Sequence, residues 1–146
     1  NYHLEDSHVL PALIRRMYEA KERGDAQVVV WGTGTARREF MASDDMSDAC
    51  LFLMENYDEA EIGEFINIGV GHDITIRELV LQVAKIVGYA GEIVFDNSKP
   101  DGAPRKFVDS TRLKNLGWRP KIEFEEGLRL TYQDFLQSLH ARSARL

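Results

Sequence analysis

Hydrophobic and polar positions follow each other along the chain in patterns that predict short strands and amphipathic helices in turn. The clearest unit begins with an apolar strand at residues 65–68 and continues through a glycine loop. The next helix starts at Thr75, which forms a capping box with Glu78. Apolar residues then recur at helical spacing until Gly88 closes the helix. The order predicts strand, loop and helix.

The same periodicities predict the rest of a mixed α/β fold. Helices are predicted at residues 8–23, 43–57, 110–117 and 125–140, and strands at 27–31, 38–41 and 92–95. Ser43, followed by two aspartates, is the predicted N-cap of the second helix. Cys50 falls on the apolar face of that helix with Met46 and Leu53, so we expect it in the core.

Composition limits the classes of function. The chain has 146 residues, of which 44% are hydrophobic, so one domain can bury a core. Its net charge of −6 gives a nucleic-acid role little electrostatic support. No apolar run approaches the roughly 20 residues of a membrane span, and no signal segment opens the chain. With a single cysteine, a reducing, cytoplasmic setting is the expectation.

The first residue is Asn1, without an initiator methionine. We therefore expect the sequence to be a processed, excised or incomplete piece of a protein.

One glycine pattern looks like a cofactor motif and is set aside. The strand at residues 28–31 and the following Gly32 and Gly34 resemble the start of a dinucleotide fingerprint. Arg37 stands where the third glycine is needed, and the loop leads to another extended segment instead of a helix. Rossmann phosphate binding is therefore not predicted here. The histidines show no metal-ligand spacing, so no metal site is expected.

Several cations lie beside glycine or proline loops, or at the edge of an apolar helix face. They are Arg15, Arg16, Arg37, Arg38, Lys99, Arg105 and Lys106. A pyrophosphate needs several convergent donors, which arginine supplies in pairs and lysine as a point charge. Taken singly, each of them is better explained as a solvated surface cation. The residue pattern leaves both Arg15 and Arg16 open.

Five sequence blocks carry a family resemblance. They are SHVLPALIRR (7–16), VVVWGTGTARREF (28–40), SDDMSDACLFLME (43–55), NIGVGHDITIRELVLQVAKIVG (67–88) and SKPDGAPRK (98–106). In this order they resemble the C-terminal part of the GDP-L-fucose synthases. Those are epimerase/reductases of the extended short-chain dehydrogenase class, in the NAD-dependent epimerase/dehydratase family.

The resemblance implies an α/β fold in which residues 1–146 form the substrate-binding part of an extended short-chain dehydrogenase. The N-terminal Rossmann half is absent from the sequence given, and residues 43–69 resemble a segment that returns to the cofactor domain. The complete enzyme would use NADP(H), and no cofactor is expected to bind this chain alone. The implied ligand is a GDP-sugar. Because the strand at 65–68 would lack its neighbour, we expect a homodimer or higher self-association.

The resemblance also implies roles for individual residues. His8 corresponds to the acid/base of the C3 and C5 epimerisations of GDP-4-keto-6-deoxy-D-mannose. Arg16, Arg38 and Lys99 correspond to residues that face the GDP-sugar, and Trp31 to one whose ring flanks the nucleotide. The motif thus favours Arg16 over Arg15. Where the family has a branched or aromatic pair before the two aspartates, this chain departs from it with Ala42 and Ser43.

Three functions are compatible with these residues and with the resemblance. The first is the substrate-binding part of a GDP-L-fucose synthase, which epimerises C3 and C5 and then reduces C4 with NADPH. The second is a non-catalytic nucleotide-sugar binding or assembly module. The third is a related nucleotide-sugar epimerase or dehydratase with another base or sugar. Without the motif around it, His8 is equally a helix-start residue that bonds only locally.

Overall fold

A computed structural model describes Tyr2 and residues 7–140 of the chain. The chain divides into two compact units, each built from separate segments. The first unit comprises Asn1–Ala36, Thr75–Pro104 and Leu128–Leu146, and the second comprises Arg37–Ile74 and Arg105–Gly127.

Helices and short strands alternate within the described residues. The helices are α1 (Val9–Arg23), α2 (Ser43–Asn56), α3 (Glu59–Ile62), α4 (Ile76–Val87), α5 (Thr111–Asn115) and α6 (Phe124–His140). The strands are β1 (Gln27–Trp31), β2 (Arg37–Arg38), β3 (Ile74–Thr75), β4 (Glu92–Asp96) and β5 (Arg105–Lys106). The predicted α/β fold class is confirmed.

The first unit is built around a parallel pair of strands. β1 pairs with β4 from Gln27 opposite Glu92 to Trp31 opposite Asp96. Side chains alternate along β1, so that its second and fourth residues are buried while Val29 and Trp31 are exposed. Helix α1 packs against both β1 and α4. The largest fully buried side chains of the two helices are Ile14, Met17, Leu79, Val80, Val83 and Val87.

The second unit has a small core and a short parallel ribbon. β2 pairs with β5, with Arg37 opposite Arg105 and Arg38 opposite Lys106, and β3 lies on the other side of β2. The buried core consists of Ala49, Leu53, Leu113 and Trp118, with Ile66 and Ile68 packed against it. A buried carboxylate, that of Asp45, accepts hydrogen bonds from the backbone amides of Lys121 and Ile122 at 3.0 Å each. Those bonds satisfy the charge that burial would otherwise leave unpaired.

Helix α2 differs from its prediction in two ways. Its N-cap is Ala42, with no side-chain capping bond, while Ser43 is already the first helical residue. Cys50 is exposed, so its assignment to the core is wrong. The buried stripe follows Asp45, Ala49 and Leu53 at four-residue spacing. Each residue one position later therefore turns about 100° away from it, which carries Met46, Cys50 and Met54 outward.

The predicted strand at residues 65–68 is not a strand. The segment is extended but forms no ladder within the described part of the chain. Its backbone and side chains instead find partners in the second unit: Arg112 donates to the carbonyl of Phe65 at 3.2 Å, and the Asn67 amide donates to that of Asp109 at 3.1 Å. Ile66 and Ile68 pack on the core, whereas Phe65 is 73% exposed.

Smaller differences occur at other element ends. Helix α3, which was not predicted, has its own capping box between Asp58 and Glu61. Ser110 precedes α5 as predicted but makes no capping bond. The predicted strand at 38–41 is limited to β2, and the two-residue strands β3 and β5 were not predicted. The other helices and strands lie within a residue or two of their predicted bounds.

The two predicted helix starts make a matched stability test. The Thr75 hydroxyl accepts the Glu78 amide at 3.1 Å, and the Glu78 carboxylate accepts the Thr75 amide at 2.7 Å. Thr75→Ala should therefore lower the free energy of unfolding by about 1 kcal/mol in urea titrations. Ser43→Ala, the control, should change it by less than about half that amount, because Ser43 caps nothing. Equal losses would restore Ser43 as a cap.

Candidate functional site

His8 lies immediately before the first turn of α1, at its N-cap position. Its carbonyl accepts the Ala12 amide at 3.1 Å, but its side chain makes no capping bond. The residue is exposed, and no hydrogen-bond partner for its imidazole is found among the described residues. The ring is therefore not committed to the local capping role that was the alternative interpretation of this histidine.

The two neighbouring arginines of α1 have different environments. Arg15 is paired with Glu19 at 2.7 Å and donates to the Tyr2 carbonyl. Arg16 instead donates to the carbonyl of Val29 at 3.1 Å, and no salt bridge joins it to a carboxylate in the described part of the chain. Because backbone carbonyls lie in the plane of a sheet, this bond places the Arg16 guanidinium at the edge of β1, two residues before Trp31. At 1.5 Å per residue, His8 and Arg16 are about 12 Å apart along the helix axis.

Trp31 and Lys99 meet at the carboxyl ends of the two paired strands. Trp31, the last residue of β1, is 67% exposed. The Lys99 ammonium lies 5.6 Å from the centroid of the Trp31 ring, within the range of a cation–π contact. Trp31 shares the exposed side of β1 with Val29. The structure therefore brings Lys99 to Trp31, and Arg16 contacts the same strand two residues earlier.

The glycine turn after β1 has a backbone shape and a close ring contact that fix its conformation. Gly34 has a φ of 77°, and a Cβ atom there would lie 2.6 Å from the Phe95 ring, so only glycine fits. Arg77 packs over the same ring at 3.9 Å and donates to the Thr33 carbonyl at 3.0 Å. The chain continues from this turn into β2, not into a helix. The prediction that the turn is not a Rossmann phosphate loop agrees with this geometry.

A carboxylate joins the turn to the loop that carries Lys99. Asp101 accepts hydrogen bonds from the Thr33 hydroxyl at 2.7 Å and from the Thr33 amide at 2.9 Å. These bonds, with a further one from the Gly34 amide, hold the pKa of Asp101 below its ordinary value. Sequence reasoning missed Asp101, because no local pattern marks a bond between residues so far apart in the chain.

Arg38 belongs to the second unit and has a different setting. Its guanidinium donates to the Arg37 carbonyl at 2.7 Å, and it lines a small concavity. The other lining residues are Phe40, His72, Ile74 and Phe124. Arg38 thus lies at an aromatic-walled hollow of the second unit, whereas Arg16, Trp31 and Lys99 belong to the first.

Other cations of the second unit are neutralised by a carboxylate. Asp73, whose side chain is only 5% exposed, pairs with Arg37 at 2.7 Å and with Arg105. The hydrogen bonds from Arg105 and then Arg37 lower the pKa of Asp73. Glu39 likewise accepts the Gly71 amide at 2.8 Å. Neither carboxylate was given a role from the sequence, although both hold loops of this unit.

Neither a metal cluster nor a membrane-spanning helix occurs in the described part of the chain. Within Tyr2 and residues 7–140, no group of three or more His, Cys, Asp or Glu side chains is arranged to hold a metal ion. The described helices include none that is long and apolar enough to cross a membrane. His3 lies outside the described residues.

Known proteins similar to this chain point to one family. Residues 1–69 match the model of the NAD dependent epimerase/dehydratase family. GDP-L-fucose synthase 1 of Arabidopsis thaliana is 50% identical over 139 residues, 95% of this chain and 42% of that protein. GDP-L-fucose synthase of Escherichia coli K12 is 50% identical over 144 residues, 94% of this chain and 45% of that protein.

A solved structure gives the same answer for the fold. The crystal structure of a GDP-L-fucose synthetase from Naegleria fowleri bound to NADP superposes with a TM-score of 0.86 at 27% identity. The match covers 99% of this chain and 44% of that one. The chain thus spans less than half the length of the relatives it matches. The resemblance seen in the sequence is confirmed: nearly the whole chain is similar to a part of the GDP-L-fucose synthases, and residues 1–69 match the model of the NAD dependent epimerase/dehydratase family.

Proposed function

We propose that this chain is the nucleotide-sugar binding part of a GDP-L-fucose synthase. The complete enzyme would convert GDP-4-keto-6-deoxy-D-mannose to GDP-L-fucose by epimerisation at C3 and C5 and NADPH reduction at C4. The observation that carries the proposal is the contact of Lys99 with the exposed Trp31 ring, with Arg16 bonded to the same strand two residues before Trp31. All three lie in the sequence blocks that resemble the family.

The chemistry of this group suits a nucleoside diphosphate. Arg16 offers a guanidinium that no carboxylate of the described chain neutralises, and it can donate two parallel hydrogen bonds to phosphate oxygens. Lys99 adds a second positive charge beside the exposed Trp31 ring. An aromatic face next to cations can pack on a base or ribose while the cations hold the diphosphate. The GDP-sugar contact expected for Arg38, which belongs to the second unit, stays a prediction from the sequence.

His8 is proposed as the acid/base of the epimerisations. The carbons on either side of the C4 ketone carry acidic protons, because the resulting negative charge spreads onto the ketone oxygen. A base removes the proton from one face, and an acid returns a proton to the other, so the atoms balance and the configuration inverts. An imidazole titrates in the useful range. That of His8 is exposed and free of a capping bond.

The reduction at C4 needs a hydride, which NADPH supplies to the complete enzyme. The described residues do not fit a dinucleotide: the turn from Gly32 to Gly34 leads to β2, and Arg37 stands where a glycine is required. We therefore assign no step of the reduction to this chain and propose that the rest of the enzyme binds the cofactor. The same mismatch favours the alternative of a nucleotide-sugar binding module without catalysis. We propose a cytoplasmic location for the protein under both of these functions.

The first prediction from this function concerns the ligand. GDP should bind more tightly than UDP or dTDP in calorimetry, and its affinity should fall with added salt, which screens charges. Arg16→Met and Lys99→Met should each weaken GDP binding roughly tenfold, the loss expected for a charge-assisted hydrogen bond. Arg23→Met is the control, because Arg23 pairs with Asp25 in solvent. Equal binding of all three nucleotides, or none, would contradict the proposal for this chain.

The second prediction separates catalysis from binding. In the complete enzyme, His8→Asn should leave the melting temperature nearly unchanged, because the side chain caps nothing. It should abolish deuterium uptake at C3 and C5 of the keto sugar, measured by NMR or mass spectrometry. Retained exchange at both carbons would return His8 to a purely local role. Intact GDP binding without any exchange by the unsubstituted enzyme would favour the non-catalytic module.

We also propose that the isolated chain associates with a second copy of itself. Helix α2 exposes Met46, Leu51 and Met54, and Phe65 is exposed on the same unit. Covering such a surface contributes about 25 cal/mol per Å² of apolar area. Exposed contiguous apolar surface is a common mark of an interaction site.

Light scattering tests this association. The apparent mass should rise above 16.7 kDa as the concentration increases through the micromolar range. Met54→Glu should return it to the monomer value, because a charge cannot be buried there without a partner. Leu81→Glu places the same charge at an exposed apolar position of the first unit and should leave association intact. A monomer at every concentration would refute the proposal.

A further inference from the structure

Asp101 connects two loops that are far apart in sequence. Its carboxylate accepts the Thr33 hydroxyl at 2.7 Å with one oxygen and the Thr33 amide at 2.9 Å with the other. The Thr33 hydroxyl also lies 2.7 Å from that of Thr35. The loop after β4 is thereby fastened to the turn after β1 at a second point, beyond the ladder between the strands themselves.

The turn is shaped to receive this carboxylate. Gly32 has a φ of 82°, and a Cβ atom built on it would lie 2.3 Å from an Asp101 oxygen. Any side chain at position 32 would therefore displace Asp101, so the glycine is needed for the close approach as well as for the backbone angle. Two of the sequence blocks that resemble the family, residues 28–40 and 98–106, meet at this contact.

Lys99 lies between two fixed points of its loop. On one side, its amide donates to the Asp96 carbonyl at 3.1 Å, and Ser98 bonds the Asp96 carboxylate. On the other side stands Asp101, two residues away. Pro100 lies between them, with a fixed φ, and it restricts the backbone of Lys99 to extended conformations. Releasing Asp101 would free one end of a short segment whose position decides where the Lys99 ammonium lies.

We propose that Asp101 is a positioning residue: it holds Lys99 beside the Trp31 ring by binding Thr33. Its consequence for nucleotide-sugar binding rests on the function proposed above. The positioning itself does not, because it can be measured without a ligand.

The ligand-free test is collisional quenching of tryptophan fluorescence. Trp31 is exposed and Trp118 is 4% exposed, so quenchers in solution report mainly on Trp31. Iodide is attracted by the Lys99 ammonium, whereas neutral acrylamide is not. Lys99→Met should lower the ratio of iodide to acrylamide quenching constants about threefold, as expected in water for one unit charge 5.6 Å from the ring. The quenching ratio of this variant is the value expected when the Lys99 charge is entirely absent.

Two variants weaken the attachment of the loop, and they differ in charge. Thr33→Val removes the hydroxyl donor without a change in charge and keeps the amide donor, whereas Asp101→Ala removes the acceptor of both bonds. Both should lower the quenching ratio toward that of Lys99→Met. Loss of a negative charge alone would raise iodide quenching, so a fall in Asp101→Ala can come only from displacement of Lys99. Asp25→Ala, which removes another carboxylate of the first unit, is the control and should not lower the ratio.

GDP affinity then tests the functional part. If the unsubstituted chain binds GDP, Thr33→Val and Asp101→Ala should weaken binding to the same extent as they lower the quenching ratio. Asp101→Asn, which keeps one oxygen acceptor, should recover part of both. Unchanged quenching ratios in Thr33→Val and Asp101→Ala would overturn the positioning role. Reduced ratios in a chain that does not bind GDP would leave the positioning role standing and refute the proposed function.

Discussion

The parallel pairing of β1 with β4 is the interaction on which the candidate site depends. The register places Trp31 opposite Asp96, so both strands end at the same edge. The loops that follow them therefore begin side by side, although they are far apart in sequence. In parallel sheets, ligands commonly bind outside the carboxyl ends of the strands for this reason. A shift of one residue in the pairing would turn Trp31 to the buried side and separate Lys99 from it.

Sequence periodicity was sufficient to predict the helices that bury a regular stripe of apolar side chains. Helices α1 and α4 bury positions three and four residues apart, and the capping box at Thr75 and the C-cap at Gly88 are local signals that the structure contains. The bounds of helix α2 were predicted correctly, but its buried face was not. Its buried stripe includes an aspartate, Asp45, whose burial depends on two backbone amides from a distant loop. A pattern of apolar residues cannot reveal that choice, and it therefore assigned Cys50 to the wrong side.

Carboxylates decide which cations of this chain are available to a ligand. Arg15, Arg37 and Arg105 are each held by Glu19 or Asp73. The family resemblance selected Arg16 and Lys99, and the structure shows neither in a salt bridge with a carboxylate of the described chain. The resemblance thus selected candidate site residues that composition could not separate from solvated surface charges. It did not find Asp101 or Asp73, whose partners lie far away in sequence and become visible only in three dimensions.

The interleaved segments of the two units have a consequence for how the chain folds. The backbone passes between the units after residues 36, 74, 104 and 127, so neither unit is a continuous stretch. Joining β1 to β4 closes a long loop, and the entropy lost in closing it must be overcome before contacts between the two strands can stabilise the pair. Chains dominated by such non-local pairings fold slowly compared with those built from local contacts. During synthesis, β1 must wait for β4 to emerge, and until then its exposed edge is open to pairing with other chains.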